Sequence, residues 1–466
     1  MQSRSKIKDL LRVINVAACS CPAHSRGPVV FSSCSSDGPR KETAFEMSCS
    51  TVRYGPDVIK EVGMDLSNMQ IRKACIMTDV HIGKLPCMQT AVDSLTRAGI
   101  SFEVYDNIGS EPTEKSLTHA SDFCRAGRFD GYVALGGGSV LDTCKAANLY
   151  ASDPRAQFLD YVNPPIGKGK PVTVDLKPMI AIPTTSGTGS EVTAVSVFDY
   201  KPLKVKTGIA NRKMLPTLAL IDPLPTLSVP KTVVVHTGFD QLCHALESFT
   251  TLPYNDRMPA PTNPNLRPAY QGRSPLSDIW SRFALVNIEK YFRRSAQCDG
   301  DVKARSMMHL GATAAGIGFG NAGVHLCHAM SYPISGLVKT FVPQGYSPKS
   351  KPVIPHGLAV IMTAPAVFEF TSKASPERHL EAAQLLGRDI SNDRRVDAGK
   401  ILADTLRCYM QALNVENGLT ALGYTKQDIP LLVKGTLPQQ RLTGLAPLAQ
   451  SEEQLATIFE NSMTVY

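Results

Sequence analysis

The sequence predicts a doubly wound parallel α/β sheet in its N-terminal half, followed by a C-terminal part built from helices. Three observations predict this. Between Lys73 and about Asp222, short apolar runs alternate with helical patterns, the signature of strands paired in parallel through crossover helices. Two of the runs pass directly into glycine-rich loops, where ligands of such sheets bind, beyond the carboxyl ends of the strands. Further on, RHLEAAQLLG and AGKILADTLRCYMQAL place apolar residues at helical spacing.

The elements follow in order. Lys73–Asp79 reads as a strand ending in an acid, and Met88–Ala98 as a helix leading to a second strand, Ile100–Tyr105. Tyr132–Leu135 is the third strand and runs into Gly136, Gly137, Gly138 and Ser139. Three glycines let backbone N–H groups approach a phosphate, and the helix that follows offers its positive end. The G-x-G-x-x-G spacing of the common dinucleotide fingerprint is absent, and Ser139 with Asp142 also fits a capping-box variant. Met179–Pro183 is the fourth strand and runs into Thr184–Glu191, where Thr184 and Thr185 offer hydroxyls unless the loop is simply a turn. Asp79 stands where an acid can hold ribose hydroxyls or cap the next turn. Lys206 either reaches ribose or phosphate or is an exposed strand lysine.

Length and charge set the outer limits. A chain of 466 residues is long enough for two or three domains, and 43% hydrophobic with 19% charged residues is ordinary for a globular enzyme. No apolar run approaches the ~18–20 residues of a membrane span, so a soluble protein is expected. Of the net charge of +8, five lie in residues 1–41, where Arg4, Lys6, Lys8, Arg12, Arg26, Arg40 and Lys41 face only Asp9 and Asp37. That placement argues against a nucleic-acid partner. A basic, Ser-rich, acid-poor start with Ile7, Leu10, Leu11 and Ile14 on one helical stripe reads as a mitochondrial transit segment over 1–40, with a disordered tail as the alternative. The 12 cysteines form no Cys-x-x-Cys pair, which leaves no zinc ribbon or iron–sulfur pattern; Cys243 and Cys327 read as packing residues.

Asp240 and His244 stand four residues apart in TGFDQLCHALESF, which reads as helix, so both side chains leave one face. His328 and His356 lie downstream. One carboxylate with three neutral imidazoles suits a divalent first-row metal and leaves a position open for substrate.

The series TD (78–79), GGGSVLDTCKA (136–146), PTTSGTGSE (183–191), DP (222–223), TGFDQLCHALE (237–247), NAGVHLCHAMSYP (321–333) and PHG (355–357) resembles the iron-dependent, or group III, alcohol dehydrogenases from about residue 45 onward. HLCHAMSYPISGLVK, TTLPYN and RPAYQG resemble a mitochondrial branch of that family that passes hydride between hydroxyacids and oxoacids. The resemblance implies a dehydroquinate synthase-like architecture: a dinucleotide-binding α/β domain over 45–224 and an all-helical metal-binding domain over 225–466. It implies Asp240, His244, His328 and His356 as ligands of Fe2+ or Zn2+. It places Gly137, Gly138 and Ser139, with Asp142 beside them, at the pyrophosphate of NAD, Asp79 at the adenosine ribose, and Thr184, Thr185 and Lys206 further along. Many members carry a second histidine in H-x-M-x-H-P; here Tyr332 stands in its place, which leaves the proton path open.

The implied chemistry is metal-assisted hydride transfer through tightly bound NAD, from 4-hydroxybutyrate to 2-oxoglutarate, giving succinate semialdehyde and 2-hydroxyglutarate. An ordinary dehydrogenase that releases NADH would need the same residues, and a lyase on this architecture or a non-catalytic dinucleotide sensor are the remaining alternatives. Substrates with a remote carboxylate call for a cationic clamp, with Lys339, Lys349, Lys351, Arg267 and Arg273 as candidates. His325 is expected to be structural or to support a ligand. A homodimer is expected by default.

Overall fold

A computed structural model describes residues 40–203, 205–346 and 351–466. The proposed transit segment and Lys349 lie outside the described residues.

Six parallel strands form the main sheet in the order β1-β8-β5-β4-β2-β3. They are β1 (Thr51–Tyr54), β2 (Lys73–Met77), β3 (Ser101–Tyr105), β4 (Gly131–Gly136), β5 (Met179–Pro183) and β8 (Leu218–Ile221). β4 and β5 are buried throughout, as expected for central strands covered on both faces. The crossover helices α1 (Val62–Asn68), α2 (Pro86–Arg97), α3 (Glu114–Gly127) and α4 (Gly138–Ser152) lie between successive strands. The four strands and the helix read from sequence are all present. The edge strand β1 and its neighbour β8 were not foreseen, nor was the antiparallel hairpin β6 (Val195–Tyr200) and β7 (Val205–Ala210). Each of these runs is short, and those of β1, β6 and β7 are interrupted by polar residues, so pairing with neighbours defines them.

Two features of this sheet position a ligand. The chain moves from β2 outward to β3 and then returns to the other side of β2 for β4, so the strand order reverses between β2 and β4. β4 also pairs with β5 in a register that sets Gly136 opposite Pro183. The loops 136–139 and 184–190 therefore leave the sheet side by side.

The rest of the chain is helical. Its principal elements are α5 (Lys231–Thr250), α6 (Pro275–Gln297), α7 (Val302–Ala322), α8 (Leu326–Gly336) and α9 (His356–Thr371), followed by Pro376–Leu385, Ala398–Ala412, Ile429–Thr436 and Glu452–Asn461. α5 and α9 are buried almost all round and run through a core that includes Phe239, Leu246, Phe292, Met330 and Phe368. Glycines stitch the two halves together. A Cβ at Gly189 (φ +58°) would lie 2.6 Å from the Gly316 Cα of α7, and one at Gly187 would lie 2.7 Å from Thr237 of α5. Only glycine at both positions lets the second loop press onto the two helices.

Candidate metal and dinucleotide site

Asp240 and His244 project from one face of α5, His328 from the first turn of α8, and His356 begins α9. Gly357 allows this meeting: a Cβ there would stand 1.9 Å from the His236 carbonyl oxygen and 3.0 Å from the Asp240 Cβ. The Asp240 Oδ1 atom lies 3.5 Å from His328 Nε2, 3.7 Å from His356 Nε2 and 3.8 Å from His244 Nε2. None of these is a hydrogen bond, and Asp240 Oδ1 and His328 Nε2 are buried without a partner among the described residues. Buried polar atoms left unpaired are costly, so such a set calls for something to fill it. Ligands about 2.1 Å from one ion stand roughly 3.0–3.4 Å apart, close to the spacing seen. Asp240, His244 and His328 group within 4.8 Å as possible metal ligands.

Burial and charge oppose each other here. Burial alone would raise the Asp240 pKa, but His244, His356 and His328 hold its carboxyl well below the usual range. Burial pushes His244 down to about 4 and His356 down to about 3, so both imidazoles are neutral and free to ligate at neutral pH. His356 is the open flank, with its side chain 30% exposed against 6% for His244 and 4% for His328.

Glu247 was not singled out in the sequence, although it lies seven residues beyond Asp240 on the same helical face. It is fully buried. Its Oε1 accepts the backbone N–H groups of His325 (3.0 Å), Cys327 (2.8 Å) and His328 (3.3 Å), and its Oε2 receives His328 Nδ1. One carboxylate thus satisfies the start of α8 and fixes the proton of His328 on Nδ1, which turns Nε2 toward Asp240. Burial works against charge on His328, but Glu247 and Asp240 raise its pKa to about 9. His325 is structural: its Nε2 pairs with Thr250 Oγ1 at 2.9 Å, outside the ligand cluster. Cys243 and Cys327 are buried in the helical core.

The cofactor candidates fall on the two adjacent loops. Gly137 is the N-cap of α4 without a side-chain cap, so the Ser139–Asp142 capping box does not form. Ser139 Oγ donates to the Ser110 carbonyl instead. Asp142 accepts from Ser190 Oγ at 2.5 Å and Val197 N–H at 2.8 Å, beside the buried Lys145. Asp79 follows β2 and its Oδ1 accepts the N–H groups of His81 and Ile82, which is a capping arrangement. Thr184 Oγ1 is buried without a partner among the described residues, and Thr185 lies against Gly137. Lys206 is on a strand, as read, but is only 5% exposed. Glu111 and Asp199 hold it there and keep its pKa up against the effect of burial. Gly137, Gly138, Thr184 and Thr185 thus lie on adjacent loops at the strand ends, while Asp79 and Asp142 are engaged locally.

Of the clamp candidates among the described residues, three are engaged elsewhere and one is exposed. Arg267 pairs with Glu42 at 3.1 Å, Arg273 donates to the Thr251 carbonyl, Lys339 pairs with Asp428 at 2.7 Å, and Lys351 is exposed.

Residues 49–223 match the family model described as "Iron-containing alcohol dehydrogenase", and residues 270–463 match "Fe-containing alcohol dehydrogenase family, C-terminal". The chain belongs to the iron-containing alcohol dehydrogenase family. Its curated relatives include "Hydroxyacid-oxoacid transhydrogenase, mitochondrial" of Bos taurus, 58% identical over 464 residues that span 100% of this chain and 99% of the relative. The protein of the same name from Homo sapiens is also 58% identical, with the same coverage. A "Probable hydroxyacid-oxoacid transhydrogenase, mitochondrial" of Dictyostelium discoideum is 49% identical over 91% of this chain and 80% of its own length. Among solved structures, a 1,3-propanediol oxidoreductase superposes with a TM-score of 0.78 at 24% identity, covering 90% of this chain and 100% of its own. A sulfoacetaldehyde reductase from Bifidobacterium kashiwanohense in complex with NAD+ gives 0.74 at 24% identity, with 91% and 100% covered. The fold is that of this enzyme family, a parallel α/β sheet followed by a helical part.

Proposed function

We propose that this oxidoreductase is a hydroxyacid–oxoacid transhydrogenase. On this reading hydride passes from 4-hydroxybutyrate to tightly bound NAD and from there to 2-oxoglutarate, giving succinate semialdehyde and 2-hydroxyglutarate. The observation that carries the chemistry is the Asp240 oxygen set among three imidazole nitrogens at 3.5–3.8 Å. The substrate class rests on end-to-end relatives of 58% identity that bear that name. Their mitochondrial designation also supports matrix import through residues 1–40. A homodimer is the assembly we assign by the same reading.

Asp240, His244, His328 and His356 would hold the ion, and the donor set accepts Fe2+ or Zn2+. When bound, the ion acts as a Lewis acid toward the substrate oxygen and NAD accepts the hydride. The remaining work belongs to side chains and backbone. Gly137, Gly138 and Ser139 at the start of α4 would take the pyrophosphate, and Asp79 the adenosine ribose. Thr184, whose buried hydroxyl lacks a partner, would line the cofactor with Thr185 and Lys206. Asp142 supports the cradle by tying Ser190 and β6 to α4. Tyr332 is buried, which pushes its phenol pKa up, so Oη keeps its proton and acts as a hydrogen-bond donor toward substrate. The domain limits implied by these roles are 45–224 for the cofactor and 225–466 for the metal.

Single-turnover spectroscopy tests the proposal. Metal-loaded protein with no added NAD is given 4-hydroxybutyrate, and reduced nicotinamide absorbance is followed before 2-oxoglutarate is added. A substoichiometric rise that collapses on adding the oxoacid is expected. Silence until external NAD+ is supplied, followed by continuous NADH release, would identify an ordinary dehydrogenase instead.

A further inference from the structure

The proposed substrates need a cation; Arg267, Arg273 and Lys339 are engaged elsewhere, Lys351 is exposed, and the structure offers another. Arg441 lies in the short turn Gln440–Thr443. Its Nη1 is buried with no hydrogen-bond partner among the described residues. The guanidinium stacks 4.9 Å from the ring centroid of Tyr270 and lies beside the hydroxyls of Tyr270 and Tyr332. Asn163 Nδ2 is likewise buried and unpartnered, and it lines the same small cavity as Arg441. The cavity is rigidly framed. Asn163 N–H donates to the Gly208 carbonyl of β7 at 2.9 Å, and Gln439 donates to the Lys206 carbonyl at 3.2 Å.

This cavity stands one aromatic layer from the metal ligands. Tyr332 lies one helical turn beyond His328 on α8, and its ring centroid is 6.4 Å from that of His356. Tyr270 lies 6.4 Å from Phe319, which stacks on His244 at 3.9 Å. Tyr270, Tyr332, Phe319 and Leu442 pack in one apolar cluster. Among the described residues, Lys206 is held by Glu111 and Asp199, and Lys145 by Ser190 Oγ at 2.7 Å and the Val195 carbonyl at 3.0 Å. A buried guanidinium nitrogen and a buried carboxamide N–H, neither with a partner among the described residues, border the same cavity and are complementary to a carboxylate.

We infer that Arg441 and Asn163 bind the remote carboxylate of the hydroxyacid and of the oxoacid in turn. This rests on the transhydrogenase reading, and the carbon skeletons fit it. In 4-hydroxybutyrate the reacting carbon and the carboxyl carbon are three C–C bonds apart; in 2-oxoglutarate the keto carbon and the distal carboxyl carbon have the same separation. One fixed anion site beyond a fixed metal site therefore serves both half-reactions. An uncharged alcohol of equal length gains nothing from it.

The test uses full-length protein loaded with metal and NAD, compared with Arg441→Met, Arg441→Lys and Asn163→Ala. KM is measured for 4-hydroxybutyrate and for 1-butanol, and calorimetry follows binding of butyrate and of NAD+. For Arg441→Met, the KM for 4-hydroxybutyrate and the Kd for butyrate should rise roughly 10–100-fold. The KM for 1-butanol and the Kd for NAD+ should stay within about twofold. Arg441→Lys should recover part of the loss, and Asn163→Ala should cost several-fold; these two variants carry the test if Arg441→Met does not fold. An unchanged KM for 4-hydroxybutyrate, an equal change for 1-butanol, or a parallel loss of NAD+ affinity overturns the assignment. If the wild type passes no hydride between the acids yet binds butyrate through Arg441, the transhydrogenase reading fails and the anion site stands. If transfer occurs and is insensitive to Arg441, only the anion site fails. If the wild type neither transfers hydride nor binds butyrate, both fall.

Discussion

The proposed metal cluster and the proposed cofactor loops occupy neighbouring ground but are made of opposite material. Asp240, His244, His328 and His356 come from three helices and meet through side chains, leaving buried polar atoms unpaired. The loops 136–139 and 184–190 come from adjacent strands and meet through backbone, with glycines where a side chain would collide. A site made of side chains fails when an atom is removed. A site made of backbone clearance fails when an atom is added. The two should therefore break independently, one by truncation and the other by insertion.

The largest effect is expected at the hub of the cluster. Asp240→Asn keeps the shape of the residue and removes the charge that three imidazoles surround. Bound metal, measured on purified protein, should fall below about a tenth per chain. Hydride transfer should drop at least ~10³-fold, because the charge stabilisation that depends on the ion goes with it. NAD+ affinity should remain within about twofold. A variant that keeps its metal and its rate would show that Asp240 is not the hub, and a large loss of NAD+ binding would show that the two sites are not independent.

Glu247→Gln sharpens the same contrast one step further out. The amide oxygen can still accept the three N–H groups at the start of α8, so helix α8 keeps its cap. The amide nitrogen, however, is a donor that would face the Nδ1–H of His328. His328 must then turn or change tautomer, and Nε2 no longer presents its lone pair to an ion. Chelator competition should show metal affinity lowered roughly 10–100-fold. An unchanged metal affinity would reduce Glu247 to a helix cap.

These two residues also show how far the sequence could be read. Asp240 and His244 were legible as candidates because an i,i+4 pair leaves one helical face, a weak signal alone that the surrounding motifs strengthened. His328 and His356 needed the motifs around them, since nothing local says that α8 and α9 converge on α5. Glu247 shares the face of Asp240, yet acids on helices are common, and only its burial against the start of α8 distinguishes it. The strand–loop pairs at Gly136 and Pro183 were legible as apolar runs ending in glycine. The hairpin that carries Lys206 was not, and a buried strand lysine looks the same in sequence as an exposed one. Arg441 had no signal at all. Its significance comes from Asn163, Tyr270 and Tyr332, which the fold gathers from distant parts of the chain, whereas Arg267, Arg273 and Lys339 are engaged elsewhere and Lys351 is exposed.

The smallest effect, and the most specific to the backbone site, is expected from Gly138→Ala. The added Cβ would lie 2.7 Å from Thr188 Cγ2 and 3.0 Å from its Oγ1. Thr188 is β-branched and its hydroxyl accepts the Ser190 N–H at 3.3 Å, so it cannot swing aside freely. The two loops must separate by a few tenths of an ångström. Overpacking of this kind costs ~1–3 kcal/mol, part of it as stability and part as lost fit to the dinucleotide. Calorimetry should give a several-fold weaker NAD+ affinity with metal content unchanged. The clash itself can be isolated. Thr188→Ala removes the two nearest atoms and leaves only its Cβ at 3.1 Å, so in Gly138→Ala/Thr188→Ala the penalty should shrink relative to the sum of the single variants, with a coupling of roughly 1 kcal/mol. Additive effects would mean that the glycine matters for some reason other than its distance from Thr188. Loss of metal in Gly138→Ala would mean that the two sites share more structure than their separate construction implies.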